Sequence, residues 1–290
     1  MPLPLSSLML LMLLALPGMA WAQPAANLEA PAEVEQGAAF LVRLTTEAAL
    51  SQAQADFLGR SFRAWPEQEG VYAALVGVGA EERPGAYHLI FTGVDEAGGR
   101  LAVSRQVSVR PADFGTQRLK LPPKMVSPDA ATLAAIAAQK ARLEELLANA
   151  TPERLWEGGL VRPVPGKTLS SFGLLRVLNG EPRSRHAGID LRAAHGEPVR
   201  AAAAGRVVVA EPFYYEGNLI VLDHGLGLAT IYCHLSEFAV KAGDMVARGQ
   251  VIGKAGASGR ATGPHLHFGA RLGDVRIDPL SLFKLLGETP

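Results

Sequence analysis

The chain has 290 residues, about twice the length of an ordinary domain, which favours two folded units over one. Hydrophobic residues make up 48% and charged residues 19%, a balance too apolar for a disordered chain. Lys plus Arg and Asp plus Glu are both 28, so no net basic field exists to hold nucleic acid; the single cysteine, Cys233, excludes intrachain disulfides and Cys-based zinc or iron–sulfur centres.

The apolar run over residues 8–16 is the length of a signal-peptide core, is too short to span a bilayer, and is broken by Pro17-Gly18. Ala20-Trp21-Ala22 has the A-x-A form of a cleavage site. The expectation is a signal peptide over residues 1–22 and an exported mature chain beginning near Gln23, with no membrane span after it. Without a cysteine at the cleavage point, no lipid-anchored N-terminus is expected.

Residues 28–115 read with period two. Phe40, Val42 and Leu44 alternate with Leu41 and Arg43, and Tyr87, Leu89 and Phe91 with His88, Ile90 and Thr92; Gly70, Arg83-Pro84-Gly85 and Gly98-Gly99 supply turns. The pattern predicts an N-terminal β-sandwich, Ig-like, over residues 23–119. Its one histidine, His88, falls on the outer face of a strand. Ser127-Pro128 then has the form of an N-cap followed by a first-turn proline, and Leu133, Ile136, Lys140, Leu143 and Leu147 recur at helical spacing up to Asn149. One helix of about 20 residues is expected in a linker over residues 120–159, bounded by proline-containing segments. Over residues 160–290 dense glycine and short β-branched runs such as Val207-Val208-Val209 predict a second, antiparallel β unit, so the fold class is mainly β. This last unit is mildly basic, with 15 Lys and Arg against 11 Asp and Glu.

Six of the seven histidines lie after residue 185. In Pro264-His265-Leu266-His267-Phe268 the imidazoles are two apart, so on a strand they share a face while Leu266 and Phe268 turn to the core. His186-Ala187-Gly188-Ile189-Asp190 places a His and an Asp four apart. As extended strand these span about 13 Å, too far for one ion, so a bend at Gly188 or a helical turn is required, and spacing alone does not choose. Ile231-Tyr232-Cys233-His234-Leu235 reads as a strand with Tyr232 and His234 on one face and Cys233, a small core residue, on the other. His195 and His224 each precede a glycine in a turn and read as structural.

Ser171-Phe172-Gly173, His186-x-x-x-Asp190, Asp223-His224-Gly225, Tyr232-x-His234-Leu235, Val246-x-x-Gly249-Gln250-x-Ile252-Gly253, Ser258-Gly259 and Gly263-Pro264-His265-Leu266-His267-Phe268 occur in one order. Together they resemble the M23 peptidases, the lysostaphin/LytM-like zinc endopeptidases of bacterial cell walls, across residues 160–285. The preceding β domain and helix are similar to those of the Gram-negative members. The resemblance implies a C-terminal module of the duplicated hybrid motif type over residues 160–290, a Zn2+ cofactor held by His186, Asp190 and His267, and catalytic roles for His265 as base and His234 as oxyanion donor. It implies peptidoglycan peptide stems as substrate, cleavage of the D-Ala–diaminopimelate link, and a periplasmic location. Some members have lost ligands and act as activators of other wall hydrolases, which makes a non-catalytic wall-binding protein the alternative; the five residues are all present here. The glycine punctuation over residues 240–252 is also similar to biotinyl and lipoyl carriers, but no lysine stands at the required hairpin tip. In the turn-rich segment before His186, Arg176 or Arg183 is expected to grip a stem carboxylate through paired hydrogen bonds.

Overall fold

The computed structural model describes residues 25–289, so the signal-peptide segment expected over residues 1–22 lies outside the described residues. The chain is mainly β, as the alternation predicts. In the N-terminal unit eight strands follow the order Ala26–Glu29, Ala39–Thr46, Val71–Gly77, Arg60–Gln68, Leu50–Phe57, Gly85–Asp95, Arg100–Arg110, Glu33–Glu35. Every pair is antiparallel except the last, where Glu33–Glu35 runs parallel to Ser108–Arg110. The Arg60–Gln68 strand pairs with one neighbour through its first half and with the other through its second, and so passes the chain between two layers. Phe40, Val42, Leu44, Leu89, Phe91 and Val107 fill the space between them, with Phe40 and Phe57 meeting edge to face at 5.6 Å. His88 is exposed, as its position on the outer face requires.

The last strand of this region, Thr116–Leu119, leaves those layers. It runs parallel to Leu175–Leu178, which forms a hairpin with Glu181–Arg185, so a segment expected in the sandwich joins the C-terminal unit. A short helix, Pro123–Val126, precedes the main helix Ala130–Ala148. The N-cap is Asp129 and not Ser127: the Asp129 side chain accepts from Thr132 N at 2.7 Å, while Ser127 closes the short helix with its N–H on the Pro123 carbonyl. Ser127 is taken up as the C-cap of the short helix, which moves the start of the long helix two residues on. Asn149 closes the long helix as expected. Leu143, Leu146 and Leu147 pack this helix on Val209, Phe213, Leu219, Val221, Ala229 and Cys233, and Glu144 receives two hydrogen bonds from Arg271, at 3.1 and 2.7 Å. Its first half, including Leu133 at 50% exposure, overhangs the sheet.

The C-terminal sheet runs Thr168–Ser170, Gly188–Leu191, Leu266–Leu272, Leu228–Phe238, Gly217–Asp223, Gly205–Phe213, Met245–Val246, with Val251–Ala255 also on the central Leu228–Phe238 strand. The two units share one hydrophobic core. Gly77 leaves room for Ile277 and Val275, Trp65 meets Trp156 at 5.7 Å with Arg154 over both rings, and Asp278 N donates to the Gly37 carbonyl at 2.7 Å.

His224 is a structural residue of this sheet. Its Nδ1 donates to the Ala204 carbonyl at 2.8 Å, and its Nε2 lies 2.7 Å from the Thr230 hydroxyl, which in turn sits 2.9 Å from the Tyr232 hydroxyl. Burial pushes the His224 pKa down from 6.5 to about 4. The folded chain therefore keeps this imidazole neutral where the unfolded chain takes up a proton, and stability falls as pH drops from 6.5 toward 4. His224→Gln, which can keep both hydrogen bonds but cannot titrate, should flatten that acid limb by about 2 kcal/mol between pH 7 and pH 5. Urea unfolding of both proteins at about pH 7 and about pH 5 measures it. A variant that loses as much stability as the parent on acidification contradicts the assignment.

Candidate metal centre

Three strands bring the predicted ligands together. Gly188–Leu191 pairs with Leu266–Leu272 so that Asp190 stands opposite His267, and Leu228–Phe238 pairs on the other side with Cys233 opposite His267. His186 lies in the short connection before Gly188, where its backbone N–H donates to the Leu174 carbonyl and its carbonyl accepts from Gly173 N, both at 2.9 Å. His186 and Ala187 form the short unpaired connection between two strands, and from there the His186 side chain reaches Asp190. At Gly188, where a bend or a helical turn was the expectation, the chain is already strand: a Cβ there would stand 2.3 Å from the Phe268 carbonyl oxygen, so glycine permits the close approach of the two backbones.

Asp190 Oδ1 lies 3.0 Å from His186 Nε2 and 2.9 Å from His267 Nδ1, and those two nitrogens are 2.9 Å apart. His186 Nδ1 lies 2.8 Å from the Ser171 carbonyl, which turns Nε2 toward the carboxylate. Burial opposes ionisation of Asp190, yet the hydrogen bonds of His186 and His267 outweigh it and hold its carboxyl far below the usual carboxylate range. Burial pushes the His267 pKa down to about 4, so this ring is neutral near pH 7. Two imidazoles and one carboxylate, with their ligand atoms about 3 Å apart, fit a divalent cation that prefers nitrogen and oxygen donors. The same three residues form the one cluster of metal-binding types among the described residues.

His234 and His265 stand beside this cluster, their rings 4.8 Å apart, and the His234 ring is 6.1 Å from that of His267. His265 Nδ1 donates to the Gly263 carbonyl at 2.8 Å and His234 Nδ1 to the Ser258 carbonyl at 2.9 Å. Each Nε2 is left open, that of His265 at 3.7 Å from Asp190 Oδ1. Leu266 and Phe268 point into the core, as the alternation requires.

One expectation needs correction. Tyr232 and His234 do not share a face: Tyr232 is in the core against Phe268, whereas His234 is on the His267 side with Cys233. The cause is a bulge. Leu235 pairs with Asn218 and Tyr232 with Ile220, so two residues oppose one, and His234 takes a left-handed backbone, φ 64°, with its N–H on the Glu216 carbonyl. The extra residue resets the alternation and aims the imidazole at the site. Cys233 is buried, and burial pushes its thiol pKa well up.

The cluster opens on a cleft of about 760 Å³ with Leu133, Ile136 and Lys140 of the long helix on one side and Arg183, Tyr215 and Arg260 on the other. Arg183 is exposed on the Glu181–Arg185 strand. Arg176, the other arginine expected to meet substrate, also lines the cleft and bonds Asp190 Oδ2 through Nη2 at 2.8 Å. Arg260, whose guanidinium lies 4.0 Å over the Tyr215 ring, was not identified from sequence. Nor were the carbonyls of Ser171, Ser258 and Gly263, because a backbone acceptor carries no residue-type signal. His195 is exposed and away from the cleft.

Residues 184–279 match the model of peptidase family M23. The chain is 42% identical over 97 residues to the DD-carboxypeptidase/endopeptidase Mpg of Neisseria meningitidis, covering 33% of this chain and 22% of that one. It is 46% identical over 83 residues to the peptidoglycan DD-endopeptidase ShyA of Vibrio cholerae, covering 29% and 19%. The chain thus spans about a fifth of the length of the curated relatives it matches. A crystal structure from Pseudomonas aeruginosa, described as an M23 peptidase, superposes with a TM-score of 0.66 at 27% identity, over 85% of this chain and 93% of that one, and so includes the N-terminal unit. With the motifs, the sheet and the clustered His186, Asp190 and His267 in agreement, residues 184–279 are a peptidase family M23 domain.

Proposed function

We propose that this chain is an exported zinc endopeptidase that hydrolyses peptide cross-links of peptidoglycan in the periplasm, cutting the D-Ala–diaminopimelate bond during wall growth or remodelling. The observation that carries the reading is the convergence of His186 Nε2, Asp190 Oδ1 and His267 Nδ1 within 3.0 Å of one another at the floor of a cleft, with two further imidazoles beside them. The names of relatives such as the Vibrio cholerae DD-endopeptidase support the substrate class.

His186, Asp190 and His267 hold the ion. Bound there, zinc supplies Lewis-acid polarisation and activation of water near neutral pH. His265, its Nδ1 anchored to the Gly263 carbonyl, takes at Nε2 the proton that water loses as its oxygen attacks the carbonyl carbon. It returns that proton to the amine nitrogen as the C–N bond breaks. With Nδ1–H on the Ser258 carbonyl the neutral ring has no proton on Nε2, so His234 takes up a proton there from solvent and donates it in a hydrogen bond to the carbonyl oxygen as negative charge develops. Burial first, and the neighbouring His267 and His265, lower its pKa to about 3, so the ring is neutral in the free protein; an adjacent anion raises its proton affinity. Arg183, exposed at the cleft, orients a stem carboxylate.

Purified protein should bind one zinc per chain, and His186→Ala, Asp190→Ala and His267→Ala should each lose it together with wall hydrolysis. Metal analysis decides; a His267→Ala variant with full zinc and full activity contradicts the ligand set. His265→Ala and His234→Ala should keep zinc and lose on the order of 10²-fold or more in rate. Arg183→Ala should lower kcat/KM by roughly tenfold with zinc unchanged, and by less on stems whose carboxylates are amidated. Digestion of purified peptidoglycan with mass analysis of the products tests the reaction itself: cross-linked dimers should yield monomers ending in D-Ala. A wall left intact by zinc-loaded protein supports the alternative, a non-catalytic activator of other hydrolases.

A further inference from the structure

Asp190 divides its two carboxylate oxygens between two sets of partners. Oδ1 faces His186 and His267, at 3.0 and 2.9 Å; Oδ2 accepts from Arg176 Nη2 at 2.8 Å. The pair is largely closed to solvent, with side-chain exposures of 21% for Arg176 and 11% for Asp190, so water does not compete well for either charge. Arg176 is itself held: its Nε donates to Gln117 Oε1 at 3.2 Å. Gln117 and Arg176 are direct partners across the parallel pair of Thr116–Leu119 and Leu175–Leu178, although 59 residues apart in the chain. That first strand follows the last strand of the N-terminal unit, Arg100–Arg110, and is seated by Phe114, which meets Phe172 edge to face at 6.0 Å beneath the Arg185 guanidinium.

We propose that Gln117 and Arg176 form a positioning relay through which the segment leaving the N-terminal unit fixes the metal-binding geometry of Asp190. A planar guanidinium suits the task. With Nε on the amide and Nη2 on Oδ2, it fixes the rotation of the carboxylate and keeps the second oxygen from turning toward the ion, so that Asp190 offers one oxygen only. Neither residue touches the reacting atoms, and neither belongs to the segment 184–279 that defines the family domain. The inference rests on the zinc reading above, and it gives the N-terminal segment a role in the centre beyond spacing.

Zinc affinity, measured by competition with a chromophoric chelator on the full chain, tests it without reference to turnover. Arg176→Ala should bind zinc about 10- to 100-fold more weakly than the parent. Gln117→Ala should lose several-fold, and the double variant should be no weaker than Arg176→Ala alone, because the amide acts only through the guanidinium. Arg176→Lys, which can reach Oδ2 but cannot span both partners, should recover part of the loss and serves if the alanine variant folds poorly. Parent-like affinity in Arg176→Ala, or losses that add in the double variant, would overturn the relay. Parent protein and His267→Ala are measured alongside. A parent that binds zinc at a site lost in His267→Ala upholds the metal centre whatever the arginine does; a parent that binds none sinks the centre, and the relay with it.

Discussion

The structure depends on keeping three atoms, two imidazole nitrogens and a carboxylate oxygen, about 3 Å from one another in a largely buried place. Each donor has its own restraint. His186 is tied by its other nitrogen to the Ser171 carbonyl, Asp190 by its second oxygen to Arg176, and His267 by the strand register that sets it between Asp190 and Cys233. The two further imidazoles repeat the device, each anchored through Nδ1 to a loop carbonyl, with His234 lining the cleft and His265 Nε2 turned toward Asp190.

The sheet supplies the precision that these restraints need. Gly188 lets the Gly188–Leu191 strand come within contact of the Phe268 carbonyl, which a methyl group would prevent. The bulge at Cys233 and His234 accepts a left-handed backbone, a cost that the surrounding hydrogen bonds hold in place, and spends it on turning one imidazole to the site. Behind the site, Tyr232 and Phe268 pack at 5.3 Å and make the floor rigid. The long helix, gripped at its C-terminal end by Leu147 and the Glu144–Arg271 pair, closes one side of the cleft with its freer N-terminal half.

Much of this was legible in the residues. The order of His186-x-x-x-Asp190, His234 and His265-Leu266-His267 along the chain resembles that of the M23 peptidases, and that resemblance marks these five residues; neither spacing nor residue type alone does so. Period-two patterning likewise gave the inner faces, because burial acts on every second residue of a strand. What stayed hidden depends on events that residue type does not encode. The side on which His234 emerges follows from one unpaired residue in the ladder; the Asp129 cap follows from a short helix that uses Ser127 first; the partner of Arg176 follows from the return of Gln117 to a strand far along the chain. Arginine before a metal motif reads equally well as a grip on substrate or on a ligand, and only the 2.8 Å contact with Asp190 separates them.

The central claim is that one zinc ion sits among these three atoms. Diffraction from crystals of the zinc-loaded protein, recorded on both sides of the zinc absorption edge, tests it directly. The account predicts a single anomalous peak about 2.0–2.2 Å from His186 Nε2, His267 Nδ1 and Asp190 Oδ1. No peak there, or a peak held by other side chains, would contradict it.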